Sequence, residues 1–118
     1  MCMGTFVMSN LRKLRVAARD SYCGAVHYCN DDPYIASKKI TVEFELGKLE
    51  IVQIAMQAYF ELRMRNGEIN RVVELFEIDN PAAVQIAKTL YVGKRLDWHI
   101  TNKSPYHDVF EEIIDNIP

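Results

Sequence analysis

A capped helix over residues 80–93 constrains the fold more than any other part of the sequence. Asn80 is a good N-cap, and Pro81 follows at the first helical position, where its missing N–H costs nothing. Gly93 ends the helix, and Lys94 and Arg95 lie near the negative end of the helix dipole. The residues between the caps place a wide apolar face on this helix: Ala83, Ile86, Ala87, Leu90 and Tyr91. Such a face must pack against other elements, so the sequence predicts a folded core around it.

Residues 40–46 have the alternating pattern of a strand. Ile40, Val42, Phe44 and Leu46 are separated by polar residues, so the four apolar side chains share one face. Gly47 breaks this run and can adopt a positive φ, which favours a hairpin through residues 46–48. Residues 48–51 fit either a second strand or the start of a helix, and periodicity alone does not decide between them.

From residue 48 to residue 66 the apolar spacing becomes helical. The stripe consists of Val52, Ala55, Met56, Tyr59 and Leu62. The pair at 66–67, Asn-Gly, is a typical helix stop. Residues 70–79 fit both a strand and a helix; the β-branched pair at 72–73 and the short length favour a strand.

The two ends of the chain add shorter elements. Residues 96–101 alternate as a short strand, with Leu96, Trp98 and Ile100 on one face. A last helix over residues 105–116 has Phe110, Ile113 and Ile114 on its buried side. Near the N-terminus, residues 9–20 predict a short helix that Ser9 caps, with Leu11, Leu14 and Ala18 at helical spacing. The turn sequence at 30–34 marks the boundary between an N-terminal extension, residues 1–37, and a main domain, residues 38–118.

Length, net charge, hydropathy and cysteine count argue against nucleic-acid-binding and membrane-spanning proteins. The 118 residues suffice for one core, and the net charge of −2 is not gathered into a basic face, which argues against nucleic-acid binding. No run of about 18 apolar residues is present, so we expect no membrane span. Three cysteines, at positions 2, 23 and 29, are an odd number and fit reduced thiols. We therefore expect a cytoplasmic or nuclear protein.

Three groups of polar residues are the candidates for chemistry, and each has a simpler explanation. Cys23, His27 and Cys29 do not match a common zinc spacing and lack an obvious fourth ligand. Asp97 and His99 would share one strand face, but no nucleophile accompanies them. The carboxylates at 111, 112 and 115 are spaced like magnesium ligands, yet a solvated helix face explains them equally well. We therefore predict no catalytic residues, no metal and no cofactor; an enzyme would need a pocket that holds His99 or these carboxylates.

The order of these elements resembles the core of a BTB/POZ domain, the superfamily that includes elongin C and the SKP-type adaptors. The resemblance covers roughly residues 40–100. It rests on the Tyr59-Phe60 pair near a helix end, on an acidic apolar strand with Val73, Leu75 and Ile78, and on the sequence LYVGKRL at 90–96. It implies a small α+β fold in which helices pack against a short mixed sheet, with the N-terminal helical extension added to it.

The same resemblance implies a non-catalytic protein-interaction module. Members of this superfamily form homodimers or bind cullin-type scaffolds of ubiquitin ligases, and their partner-binding surface corresponds here to Tyr59, Phe60, Leu62, Met64 and Arg65. An amphipathic helix outside the core needs a cover, so Leu11, Leu14 and Ala18 are the predicted dimer contacts. The alternative is a small phage or viral inhibitor that binds and blocks a host enzyme or defence complex. Topology separates the two: a hairpin at 40–52 beside a strand at 72–78 favours the first, and a helical hairpin over 48–78 counts against it.

Overall fold

The computed structural model describes residues 2–118, which form eight helices and two short strands. The chain is a small α+β protein, as the sequence predicted. The elements are α1 (Cys2–Met8), β1 (Lys13–Val16), α2 (Tyr28–Asp31), α3 (Pro33–Ser37), β2 (Thr41–Phe44), α4 (Lys48–Met64), α5 (Arg71–Asp79), α6 (Pro81–Val92), α7 (Arg95–Thr101) and α8 (Tyr106–Asp115).

The sheet consists of β1 and β2 in parallel, with Lys13 opposite Thr41 and Val16 opposite Phe44. Parallel strands need a crossover connection, and here the crossover contains α2 and α3. The strand predicted over 40–46 is confirmed at 41–44. The expected mixed sheet is wrong for residues 2–118, because the described strands form one parallel pair.

The predicted helix over residues 9–20 is wrong. Residues 13–16 form β1, in which basic and apolar side chains alternate between the two faces, and the N-terminal helix lies earlier, at 2–8. Leu14 therefore lies on a strand, Leu11 lies before it, and Ala18 follows it and packs against the helical core. The three predicted dimer residues do not share a helical face. The boundary predicted at residue 37 runs between the two strands of one sheet.

The hairpin predicted at Gly47 is also wrong, although the glycine does use its conformational freedom. Gly47 has a φ of 94° and occupies the N-cap position of α4, so the chain leaves β2 and enters a helix directly. The helix predicted from residue 48 is confirmed. Asn66 and Gly67 both have positive φ after it, and the Gly67 N–H donates to the Leu62 carbonyl at 2.7 Å, which closes the helix end.

The strand predicted over 70–79 is wrong, because this segment is helix α5. Asn70 caps it by accepting a hydrogen bond from the Val73 N–H at 3.0 Å. Val73 and Phe76, three residues apart, are the buried residues of the helix. Helices α4 and α5 therefore form a helical hairpin over residues 48–79, in place of the hairpin and strand that the BTB/POZ resemblance implies.

The capped helix over 80–93 is confirmed as α6: Asn80 accepts a hydrogen bond from the Ala83 N–H, and Gly93 is the C-cap. The strand predicted over 96–101 is wrong. Leu96 and His99, one helical turn apart, are the buried residues of α7, while Trp98 and Ile100 are exposed. The last helix is confirmed as α8, and of its predicted apolar residues Ile113 is fully buried.

The main core lies among α4–α8. Helix α4 is at its centre and packs chiefly on α6, and also on α5 and α8. Every fully buried residue of this cluster belongs to residues 52–113, and Ala18 adds a partly buried contact from the N-terminal region. Within residues 2–46, the buried apolar residues are Val7 and Cys29. None of the helices in residues 2–118 combines the length and the apolar character needed to cross a bilayer.

Candidate functional site

The five predicted partner-binding residues separate into core and surface positions. Tyr59 and Leu62 are each 2% exposed and belong to the main core. Phe60 is 49% exposed, Met64 is 62% exposed, and Arg65 lies exposed at the C-cap of α4. Only the second group is available to a partner at this surface.

The outward face of α4 carries an apolar stripe that other elements leave largely uncovered. We define the α4 stripe as Leu49, Met56, Phe60 and Met64, whose spacings of seven and four residues place them on one side of the helix. Leu49 is 44% exposed and Met56 is half-buried. Because the opposite face of α4 fills the core, this helix is apolar on two sides, which is unusual for a surface helix in a monomer.

Tyr59 fixes α7 against the buried side of α4. Its hydroxyl donates to Asp97 Oδ2 at 2.5 Å and accepts a hydrogen bond from the Asp97 N–H at 3.2 Å. Arg63 pairs with the other carboxylate oxygen at 2.6 Å. Burial, followed by the hydrogen bond to Asp97, raises the pKa of Tyr59 to about 12, and the Tyr59 hydroxyl in turn lowers the pKa of Asp97. The hydroxyl is held protonated in the core, so its role is structural.

A pocket of about 340 Å³ opens between α4, α7 and α8. Its apolar walls come from Met56, Leu96, Ile100, Tyr106 and Val109. Met56 also belongs to the α4 stripe, and its sulfur lies 3.7 Å from the Tyr106 hydroxyl. The pocket is therefore continuous with the stripe.

His99 lines this pocket and is held by an ion cluster behind it. Glu112 accepts from Arg95 Nε at 2.5 Å and lies 2.6 Å from His99 Nε2. Arg95, with His99 second, lowers the pKa of Glu112, so this carboxylate is ionised at neutral pH and can only accept. His99 Nε2 therefore carries a proton, and Nδ1 has no hydrogen-bond partner among the described residues.

This pocket meets one requirement that we set for an enzyme, since it holds His99. Ser104 also lines it, but its hydroxyl makes no hydrogen bond to the ring, because Nε2 is bound to Glu112 and Nδ1 has no partner. A contact between nucleophile and base, which acyl-transfer sites use, is thus missing from this arrangement. Asp97 and His99, which the sequence placed on one strand face, have different partners: Asp97 pairs with Arg63, and His99 contacts Glu112.

A second pocket, of about 450 Å³, lies between residues 18–23 and helices α4 and α5. Arg19 closes one side by pairing with Glu50, a buried carboxylate on α4, at 3.1 Å. Cys23 also lines it, and its thiol donates to Asp20 Oδ2 at 3.3 Å. The hydrogen bond and the charge of Asp20 raise the pKa of Cys23, so the residue is a thiol at neutral pH and a weak nucleophile.

The candidate metal ligands are not assembled into a site. No group of three or more histidine, cysteine, aspartate or glutamate side chains in residues 2–118 could hold a metal ion. Cys23 is exposed while Cys29 is buried, and Glu112 is occupied by Arg95 and His99.

The comparisons with known proteins add no relative. No family model, no curated protein and no solved structure matches the chain.

The Arg95–Glu112–His99 cluster is not predicted from the sequence, because the alternating apolar residues at 96–101 predict a strand. A strand would not bring Arg95 and His99 to the same carboxylate. On a helix, Arg95 and His99 are four residues apart and lie on one face, so both can reach a single acid on the next helix. If residues 95–101 are taken as a helix, the four-residue spacing of Arg95 and His99 predicts that both can contact one acidic side chain.

Proposed function

We propose that this protein is a non-catalytic interaction module that binds another protein through the α4 stripe. The observation that carries the proposal is the exposure of Phe60 and Met64, at 49% and 62%, on a helix whose other face is already in the core. Interfaces are enriched in aromatic residues, methionine and arginine. Arg65, at the C-cap of α4 and next to Met64 in the sequence, is exposed and available to such an interface.

The specific form of this proposal is a BTB/POZ-like module that forms a homodimer or binds a cullin-type scaffold. It rests on the motifs at 59–60 and 90–96. Helix α5, which stands where the resemblance implies a strand, does not support it. The interaction proposal is independent of this form, because it depends on the exposed stripe alone.

The test replaces two residues of the stripe by charges. We expect the double variant Phe60→Glu, Met64→Glu to keep its helical circular dichroism and to lose at least tenfold in partner capture, because both side chains project into solvent in the free chain. Ile78→Glu is the matched control: Ile78 is 77% exposed, lies on α5 and is outside the stripe. The measurement is affinity capture from the native cell with mass spectrometry, alongside light scattering of the purified protein.

The captured protein separates the versions of the proposal. A cullin-type scaffold would favour the BTB/POZ-like form, one host enzyme would favour the inhibitor, and a dimer by light scattering would favour self-association. Equal capture by the wild type, the stripe variant and the control would contradict binding through the stripe.

A further inference from the structure

We propose that the pocket between α4, α7 and α8 receives a tyrosine or tryptophan side chain of the partner, whose hydroxyl or indole N–H donates a hydrogen bond to His99 Nδ1. This inference rests on the proposed protein-binding function and names the anchor residue of the partner.

The first support is the continuity between the pocket and the α4 stripe. Met56 belongs to both, and Ile100 and Tyr106, which are 60% and 59% exposed, form the outer wall of the pocket. A partner that lies on Phe60 and Met64 is therefore one helical turn from the pocket mouth. Interfaces place their strongest contacts where an aromatic side chain fills a pocket beside the contact surface.

The second support is the state of His99. Its side chain is only 7% exposed, and its Nε2 is bound to Glu112. Nδ1 exposes less than 1 Å² and has no hydrogen-bond partner in the described chain. In the neutral imidazole this nitrogen is an acceptor, and an unpaired buried acceptor is costly. A ligand that donates a hydrogen bond to Nδ1 would remove the unfavourable free energy of leaving this acceptor unpaired.

The chemistry of the pocket selects the donor. The walls are apolar, so a ligand must bring a large apolar body with one donor at its tip, which describes tyrosine and tryptophan. Lys103 lines the same pocket and disfavours an arginine or lysine side chain through like-charge repulsion. Nδ1 exposes less than 1 Å², so the proposal requires the side chains that cover it to move aside when the anchor enters.

The test uses fragments that copy the anchor, on the full-length protein. p-Cresol and 3-methylindole copy the tyrosine and tryptophan side chains, and p-xylene has the shape of p-cresol without the donor. By nuclear magnetic resonance titration, we expect p-cresol to bind about tenfold more tightly than p-xylene, since one buried hydrogen bond separates them. The ¹⁵N signal of His99 Nδ1 should shift with p-cresol and 3-methylindole only. Equal affinities for p-cresol and p-xylene, or an Nδ1 that already carries a proton in the free protein, would overturn the proposal.

Variants link the pocket to the partner. Ile100→Glu places a charge in the outer wall without touching the core, and it should abolish p-cresol binding and weaken partner capture at least tenfold. Ile69→Glu, at a residue that is 50% exposed and outside the pocket, is its control. If the stripe variant loses the partner while Ile100→Glu keeps it, the protein-binding function stands and the anchor is disproved. If Ile100→Glu loses p-cresol but retains the partner, the pocket is a small-molecule site, and the anchor is again disproved.

Discussion

At the scale of single residues, two partly buried hydrogen-bonded clusters hold α7 in place, one on each side of the helix. Tyr59 joins it to α4 through Asp97, and Glu112 joins it to α8 through Arg95 and His99. Since α7 has only seven residues, it is too short to be stable by its own hydrogen bonds. The position of His99 therefore depends on both clusters.

The first prediction concerns Tyr59→Phe. The change leaves Asp97 with Arg63 and deletes both hydrogen bonds of the Tyr59 hydroxyl, so we expect a loss of about 1–3 kcal/mol in the free energy of unfolding, measured in urea. Tyr106→Phe is the control, because Tyr106 is exposed and its hydroxyl, within residues 2–118, donates only to the Met56 sulfur. Its effect should stay within about 0.5 kcal/mol. Equal effects of the two changes would contradict the structural role of Tyr59.

The second prediction concerns pH. Because the folded state lowers the pKa of Glu112 below its ordinary value of 4.5, its ionised form stabilises the fold above that pH. As the pH falls below 4.5 and through the folded pKa, this stabilisation is lost. Glu112→Gln should therefore reduce the free energy of unfolding by about 1–3 kcal/mol at pH 7, and the difference from the wild type should shrink below pH 4.5.

Glu111→Gln is the matched control for this series of urea titrations. Glu111 is exposed, and its nearest basic neighbour, His107, has its Nδ1 3.9 Å away, so its replacement should change stability by less than about 0.5 kcal/mol. A difference between Glu112→Gln and the wild type that stays constant down to pH 3 would contradict the assignment.

At the scale of elements, helices with both caps in the sequence were predictable, and segments with two valid periodicities were not. Helix α6 has Asn80, Pro81 and Gly93, and its prediction is confirmed. Segment 70–79 fits a period of two and a period near 3.6 equally well, so the apolar pattern could not decide. The deciding signal was Asn70, an N-cap residue placed directly before the pattern.

The N-terminal strand was hidden for a different reason. Residues 13–16 alternate, but the flanking Leu11 and Ala18 complete a helical spacing with Leu14. The choice of strand depends on pairing with β2, some 28 residues further along the chain by the register of Lys13 with Thr41. A contact at that separation is a property of the tertiary fold, which a local pattern does not contain.

The candidate site was predictable in part. The segment 59–65 was correctly placed at the end of a long helix, but helical geometry divides it: Tyr59 and Leu62 face the core, while Phe60 and Met64 face solvent. This division follows from the core stripe at Val52, Ala55 and Tyr59, so it could have been derived. The pocket between α4, α7 and α8 could not be derived from the sequence, because it depends on how three helices are placed relative to one another.

The third prediction tests helix α5 through its cap. Asn70→Ala removes two hydrogen bonds: the one that Asn70 Oδ1 accepts from the Val73 N–H, and the one that Asn70 Nδ2 donates to Glu61. We therefore expect a loss of about 1–2 kcal/mol in the free energy of unfolding. Asn102→Ala, at an exposed C-cap, should cost less than about 0.5 kcal/mol. An Asn70→Ala variant with the same free energy of unfolding as the wild type would contradict a helix that begins at residue 71.

At the scale of the whole molecule, the apolar core is divided unequally. The helical region holds the main cluster. The described part of the sheet region, residues 2–46, has two strands of four residues each, and its buried apolar side chains are Val7 and Cys29. Two-stranded sheets are marginally stable alone in water. The sheet region therefore depends on the helices, to which the buried Glu50 connects it through Arg19.

The last prediction follows from this unequal division of the apolar core between the helical region and the sheet region. A fragment of residues 47–118 keeps every fully buried residue of the main cluster and loses only the partly buried contact of Ala18. In it, the Glu50 carboxylate loses Arg19 but gains solvent, so no charge is left buried without a partner. We expect this fragment to retain its helical circular dichroism and a cooperative thermal transition at a lower midpoint than the full chain. A fragment of residues 1–46 should show neither property, because its apolar core is too small to offset chain entropy. If residues 47–118 were unfolded alone and became helical only on mixing with 1–46, the sheet region would be part of the folding core, and the division drawn from burial would be wrong.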